Sequence, residues 1–552
     1  MNVAELTAEV TALKARNAEL VSQVERLRAL YLQTLEQVKK LERGIIGPKS
    51  ERMPGNDAQL TLDILAALLR EQGDDPDAIA EAAQRDEVEH EERPKTKHKP
   101  AGRKPLPESL PRVEIEVLPP EVEQEGLAAF DRIGADHSET VERRPASMVV
   151  VRVVRPKFVR KGAGAPDAEA STTASGEDEA SDGTTVLVAE PPELPIPKGL
   201  AGPGLLADTI VRRWVDHTPL YRLESVYARD GLPLARSTVC TWHDAMGELV
   251  APLVEAMFDD AMAAPYLCTD ATGVLVQARE QCRRSHFWVL VAPERHVLFR
   301  YTRKHDSKAV DRVLAGYRGY LVADAATVYD HLYASGNVVE VACWAHTRRY
   351  FFKALASEPE LARHALELIG RLFAIEREIA EFGRTKREVH RARRSRPVVN
   401  VFFDWCNARQ LDVIDDTPIS KAVNYAINQR DALQRFLGDG RLPLHNNISE
   451  GHLRRQAVGR KNWLFLGSDD GGHTNARLTS LLASCQMHGI EPLGYLRDLF
   501  CLLPRWPRRR VLELAPVNWE ETLQQEETQQ RLTANVFRRV ALGAGGVHRG
   551  DG

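Results

Sequence analysis

Cysteine is scarce in this sequence and does not cluster. Seven cysteines (Cys240, Cys268, Cys282, Cys343, Cys406, Cys485 and Cys501) stand among 552 residues, nowhere spaced Cys-x-x-Cys. That argues against a disulfide framework and against a thiolate zinc site, and fits a reducing cytosol. Long apolar runs are missing too. None approaches the roughly 18 residues that a bilayer span needs, and the N-terminus has no apolar signal core. A membrane or secreted protein is not expected. Basic charge shows no excess either: 74 Lys and Arg against 78 Asp and Glu leave a net charge of −4. At first sight that total argues against a nucleic-acid partner.

What is present is unevenly distributed. Residues 1–43 carry a heptad, with Val3, Val10, Asn17, Val24, Tyr31 and Val38 at one position and Leu6, Leu13, Leu20, Leu27, Thr34 and Leu41 at the other. β-Branched residues at a, leucine at d and one Asn at a favour a parallel two-stranded coil, so a homodimer is expected. A single amphipathic helix packed on its own domain is the plainer alternative. Residues 44–112 read as a helical and basic linker, with seven Lys or Arg and one acid between Arg93 and Arg112. Residues 113–162 alternate apolar and polar and predict a small β-rich module. Residues 163–195 read as an acidic linker, with eight acids and no Lys or Arg over 163–193. Residues 196–262 read as helical, with a weak helix-turn-helix signal around Trp242. Basic blocks at 93–112, 384–396, 454–461 and 505–510 are hidden in the sum, so the net charge excludes nothing.

From residue 263 the period changes. Three strands, a helix, a strand, a helix and a strand predict a mixed sheet with helical cover. Asp270 and Asp324 each end a short apolar strand. If those strands are neighbours, two carboxylates meet at strand ends, where α/β sheets bind ligands. A divalent cation such as Mg²⁺ or Mn²⁺ would relieve their repulsion; ordinary turn aspartates are the alternative. Asn447 followed by Glu450 reads as an N-cap with its capping-box glutamate, or Glu450 supplies a third metal ligand. Cys343 and His346 have Cys-x-x-His spacing, which two residues cannot make into a metal site.

These segments resemble a known family. Asp270-Ala271-Thr272, Asp324, Cys343-Trp344-Ala345-His346, Asn446-Asn447-Ile448-Ser449-Glu450 and Gly459-Arg460-Lys461-Asn462-Trp463-Leu464-Phe465 are similar, in order, to motifs of the insertion-sequence family 66 transposases. Gly47–Arg52, Gly102–Pro107, Asp216–Arg222 and His488–Leu496 add to the likeness, which covers roughly residues 1–515. The resemblance implies a DDE transposase with an α+β multidomain build. Its catalytic domain, residues 263–500, would be ribonuclease-H-like and mixed α/β, with a helical insertion at about 350–440; a basic tail, 501–552, would follow. Asp270, Asp324 and Glu450 would be the metal-binding triad for two Mg²⁺ or Mn²⁺ ions. Arg348, Arg349, Arg454, Arg455, Arg460 and Lys461 would contact DNA. Its partners would be double-stranded transposon ends, target DNA and accessory transposition proteins, in the cytoplasm with the bacterial nucleoid.

The sequence also departs from the family. The family's four-cysteine zinc module would fall on Pro120–Gly126 and Lys157–Gly162, which hold no cysteine. No structural zinc is therefore expected there. His445 stands where the family tends to have Asp, and Gly451 where it tends to have Arg. These departures keep open a second reading, a catalytically impaired DNA-binding derivative or regulator of transposition.

Overall fold

The computed structural model describes residues 106–108, 110–144, 147–160, 186–278 and 281–543, all within the second of two units, Arg93–Gly552. The expected coiled coil, the linker up to residue 105 and most of the acidic linker lie outside the described residues.

The valine-rich run at Met148–Val154 forms a strand buried on both faces. Strands β1 (Arg112–Glu116), β2 (Phe130–Arg144), β3 (Ser147–Arg160) and β4 (Leu187–Val188) make one sheet, with helix α1 (Pro120–Glu125) after β1. The order is β1-β3-β2, with β4 also paired to β3. β2 and β3 run antiparallel along nearly their whole length, interrupted by an irregularity at Arg132/Gly134. Alternation divides β3 between two cores. Val149, Val151 and Val153 pack with Val536, Phe537 and Val540, while Met148 and Val150 join Ala201, Leu205 and Leu206. The two stretches that lack the family's cysteines still meet. Val122, Phe130 and Phe158 form a small apolar cluster, and Glu125 pairs with Arg160.

Four helices follow: α2 (Pro203–Trp214), α3 (Leu220–Arg229), α4 (Arg236–Leu249) and α5 (Ala251–Ala261). Then comes the central sheet, with β5 (Tyr266–Val276), β6 (Arg283–Ala292), β7 (His296–Thr302), helix α6 (Ser307–Val313), β8 (Gly319–Ala323), α7 (Asp330–Ala334) and β9 (Val338–Ala342). Its order is β7-β6-β5-β8-β9. β5, β6 and β7 are antiparallel, and β8 and β9 run parallel to β5. The expected mixed sheet is therefore present, with β6 and β7 as a hairpin. Period-two alternation assigns its faces. Leu267, Trp288, Leu290, Leu298 and Leu321 face the core shared with α2 to α5. Cys268, Phe287, Val289, Val291, Val297, Phe299 and Val322 face the other.

That second core is covered by the helices expected between residues 350 and 440. They are α8 (Trp344–Lys353), α9 (Pro359–Glu378), α10 (Arg384–His390), α11 (Arg396–Gln410), α12 (Pro418–Asn428) and α13 (Arg430–Gln434). Trp344, Phe351, Phe402, Phe403 and Phe436 supply most of their aromatic packing. Arg391, in a π-helical turn between α10 and α11, is fully buried. It pairs with Glu376 and donates to the carbonyls of Phe436, Asp439 and Leu442.

The chain then forms α14 (Asn447–Trp463), β10 (Phe465–Leu466), α15 (Asp469–Met487) and α16 (Pro492–Leu502). α15 lies along the sheet's outer strand: Ser480 and Ser484 hydroxyls accept from the Phe299 and Val297 N–H groups at 2.7 and 3.0 Å. Residues read from the sequence as a basic tail continue as α17 (Trp519–Gln524), α18 (Glu526–Ala534) and α19 (Val536–Ala541). Arg510 pairs there with Glu513 and Glu527. None of the described helices is long and apolar enough to cross a membrane.

Candidate active site

Register places Asp270 beside Asp324. β5 and β8 pair in parallel as far as Cys268 and Val322, and each aspartate lies two residues beyond. Both are thus at the carboxyl end of the parallel pair. Asp270 does not end its strand, as the sequence suggested: β5 runs on to Val276 against β6, with Asp270 opposite Val289. The Ala271 N–H donates to its carboxylate at 2.7 Å. Burial pushes the Asp270 carboxyl up to about 7; the Ala271 N–H opposes this, and the negative charges of Asp324 and Glu450 add to it. All three carboxylates therefore share one electrostatic neighbourhood.

Glu450 arrives on α14, whose start differs from the sequence reading. Asn446, not Asn447, occupies the N-cap position, and no side chain caps the helix. The Asn446 side chain is drawn away to donate to the Thr269 carbonyl at 2.7 Å, one residue before Asp270. Its backbone N–H donates to Cys343 Sγ at 3.2 Å, and the Trp344 N–H donates to the Leu444 carbonyl at 3.1 Å. The helix start is pinned to β5 and to the end of β9. Released from a capping box, Glu450 lies 3.7 Å from His346 Nε2 and 3.7 Å from an Arg349 Nη. Cys343 is buried, and His346 lies beside Glu450.

The candidate DNA residues divide. Arg348, Arg349, Arg454 and Lys461 are exposed. Arg455 donates to Gln486. Arg460 donates to Thr272 Oγ1 at 3.0 Å and to the Gly273 carbonyl at 2.6 Å, bracing β5 just beyond Asp270. Sequence reasoning missed Asn446, and it missed His305. The His305 ring stacks on Trp288 at 4.7 Å with an interplanar angle of 4°, and its imidazole lies within the influence of Asp324. The signal for Asn446 was the doubled asparagine; nothing local marks His305.

Oxygen donors of this kind suit a hard divalent cation. Among the described residues no group of three or more His, Cys, Asp or Glu is gathered so that it could hold a metal ion. The donor set fits by its chemistry, by mutual repulsion that a cation would relieve, and by the buried, unpartnered Oδ1 of Asn446 beside it.

Comparison with known proteins decides the affiliation. Residues 198–474, half the chain, match the family described as Transposase IS66 family. The chain belongs to the IS66 family of transposases. Residues 33–115 match a second family description, Transposase C of IS166 homeodomain. Similar proteins occur in Sinorhizobium fredii (strain NBRC 101917 / NGR234). Uncharacterized protein y4qI is 29% identical over 447 residues, covering 77% of this chain and 79% of its own. Uncharacterized protein y4hP is 27% identical over 510 residues, covering 88% of each. The IS66 match includes β5 with Asp270, β8 with the Asp324 that follows it, helices α8 to α13 and all of α14.

Proposed function

We propose that this IS66-family chain cleaves the ends of an insertion sequence and joins them to target DNA, with Asp270, Asp324 and Glu450 as its catalytic carboxylates. The observation that carries the reading is the parallel register that ends two residues before both Asp270 and Asp324; the Asn446–Thr269 hydrogen bond ties the start of the Glu450 helix to the same strand. The sheet order β7-β6-β5-β8-β9, three antiparallel strands followed by two parallel ones, supports a ribonuclease-H-like core.

The three carboxylates would hold Mg²⁺ or Mn²⁺, which supplies Lewis acidity toward a phosphoryl oxygen. The rest falls to the protein. α14 holds Glu450 against the sheet, and Arg349 and His346 orient its carboxylate. Exposed Arg348, Arg454 and Lys461 supply cations for backbone phosphates. Water attacks the phosphorus at the transposon end in line, and the bond to the departing 3′-oxygen breaks. The freed 3′-hydroxyl then attacks a target phosphodiester, exchanging one ester bond for another. Positioning carries both steps, and no covalent enzyme intermediate is required. Dimerisation through residues 1–43 would pair two ends; accessory transposition proteins would act with it.

The test is strand transfer or end cleavage with matched donor DNA and Mg²⁺. Asp270→Asn or Glu450→Gln should lower the rate by at least about 10³-fold, the equivalent of several kcal/mol of lost charge stabilisation. Unchanged rates in either variant would remove that residue from the triad. The second reading, a DNA-binding regulator derived from this fold, is favoured by Gly451 and His445. It predicts salt-dependent end binding without metal-dependent cleavage.

A further inference from the structure

The helix that carries Glu450 is fastened to the strand that carries Asp270 on both sides of that aspartate. At its start, Asn446 Nδ2 donates to the Thr269 carbonyl at 2.7 Å, one residue before Asp270. The Glu450 N–H donates in turn to the Asn446 carbonyl at 3.4 Å. Near its end, one Nη of Arg460 donates to Thr272 Oγ1 at 3.0 Å and to the Gly273 carbonyl at 2.6 Å. Beyond the helix, β10 pairs in parallel with β5, Phe465 opposite Leu275 and Leu466 opposite Val276. The ties follow the same order in both segments. α14 and β10 therefore run alongside β5, with Asp270 between the first two fastenings.

These fastenings come at the expense of local conformation. Asn446 holds the N-cap position of α14, but its backbone, at φ −93° and ψ 19°, is not in the extended conformation of a capping residue. Its side chain caps nothing, and its Oδ1 is buried without a hydrogen-bond partner. A residue serving the helix alone would cap it. At the other end the chain leaves α14 through Leu464 at φ 59° and ψ −56°, close to the rare and strained γ-turn, and so delivers β10 to β5. Arg460 is half-buried and directed at β5, whereas Lys461 beside it is exposed. Both ends of α14 thus give up a relaxed helix terminus for contacts that flank Asp270.

We propose that Asn446 and Arg460 are positioning residues that hold Glu450 in register with Asp270, so that the affinity of the carboxylates for a divalent cation depends on both. The inference rests on the carboxylate triad argued above. It gives Arg460 a role other than the DNA contact that the family resemblance implied. The two roles have different signatures. A guanidinium that serves a phosphate contributes to the salt dependence of duplex binding. One that aligns a metal site leaves that dependence alone and acts on metal affinity, as the partners of metal ligands do. Charge alone has the other sign, since removing a cation near carboxylates would favour Mn²⁺.

The experiment titrates Mn²⁺ into the full chain by calorimetry and measures duplex affinity across a salt series by fluorescence anisotropy. Arg460→Met and Asn446→Leu should each weaken Mn²⁺ binding by about 10–100-fold. Arg460→Met should keep the wild-type slope of log affinity against log salt, where a lost phosphate contact would lower it by about 1. Ser480→Ala, which unties β7 from α15 instead, should melt below the wild type yet bind Mn²⁺ as the wild type does. Wild-type or tighter Mn²⁺ binding in either folded variant overturns the proposal, and so does an equal loss in Ser480→Ala. A slope lowered by about 1 in Arg460→Met returns that residue to DNA contact and also overturns it. If Arg460→Met does not fold, Thr272→Val, which removes one acceptor of the same guanidinium, decides by the Mn²⁺ criterion. A wild type that cleaves ends while both variants keep its Mn²⁺ affinity refutes this inference alone. Absence of Mn²⁺ binding in the wild type refutes the triad as well.

Discussion

Glu142 carries a carboxylate fully into the interior at the start of α2. The Arg143 and Leu205 N–H groups donate to Oε1 at 2.7 and 2.9 Å, and Oε2 is buried without a partner. Gly202 and Gly204 make the space, since a Cβ at either would collide with its oxygens. Burial raises this carboxyl to about 8 against donors that favour its anion. A carboxyl raised on folding stabilises the fold while protonated. Its contribution is complete below about pH 4.5 and is lost as pH rises through about 8. The shift corresponds to about 5 kcal/mol. Glu142→Gln should therefore melt above the wild type at pH 9, and the gap should close by pH 5 in paired thermal scans. A gap independent of pH would remove the charge argument. Gly451 makes the opposite kind of case. A Cβ there would meet open space, so packing does not require glycine one residue after Glu450. Gly451→Ala should gain about 0.5–1 kcal/mol in denaturant unfolding from helix propensity alone.

At the scale of elements, strands bearing hydrophobic alternation were legible in the sequence, and so was the aspartate pair that follows two of them. The end of β5 was not. Ala271-Thr272-Gly273 looks like a break, yet pairing to β6 and the Arg460 brace carry the strand through it. The start of α14 was misread by one residue for a similar reason. Local capping favoured Asn447, but Asn446 gains more by bonding a buried carbonyl of β5. In the module that lacks the family's cysteines, Val122, Phe130 and Phe158 meet, joined by the Glu125–Arg160 pair. The outer edge of β7 is covered by α15 rather than by another strand. Ser480→Ala and Ser484→Ala each leave a buried N–H unpaired and should each cost about 1–3 kcal/mol by chemical denaturation. A loss below about 0.5 kcal/mol for both would mean that water reaches this edge.

For the whole molecule, the two faces of the central sheet have different neighbours, α2 to α5 on one and the α8 to α13 helices on the other. Asp270 and Asp324 lie at the carboxyl end of the parallel strand pair between them. Residues 1–43 stand apart in sequence from this body, so their removal tests association alone. Sedimentation should show a dimeric full chain and a monomeric 45–552 chain; a dimeric truncated chain would place the interface elsewhere. α14 carries Glu450 in its first turn and Trp463 at its end, and a helix neither stretches nor compresses. The Glu450 carboxylate and the Arg460 brace on β5 are therefore one rigid piece, and whatever shifts one shifts the other.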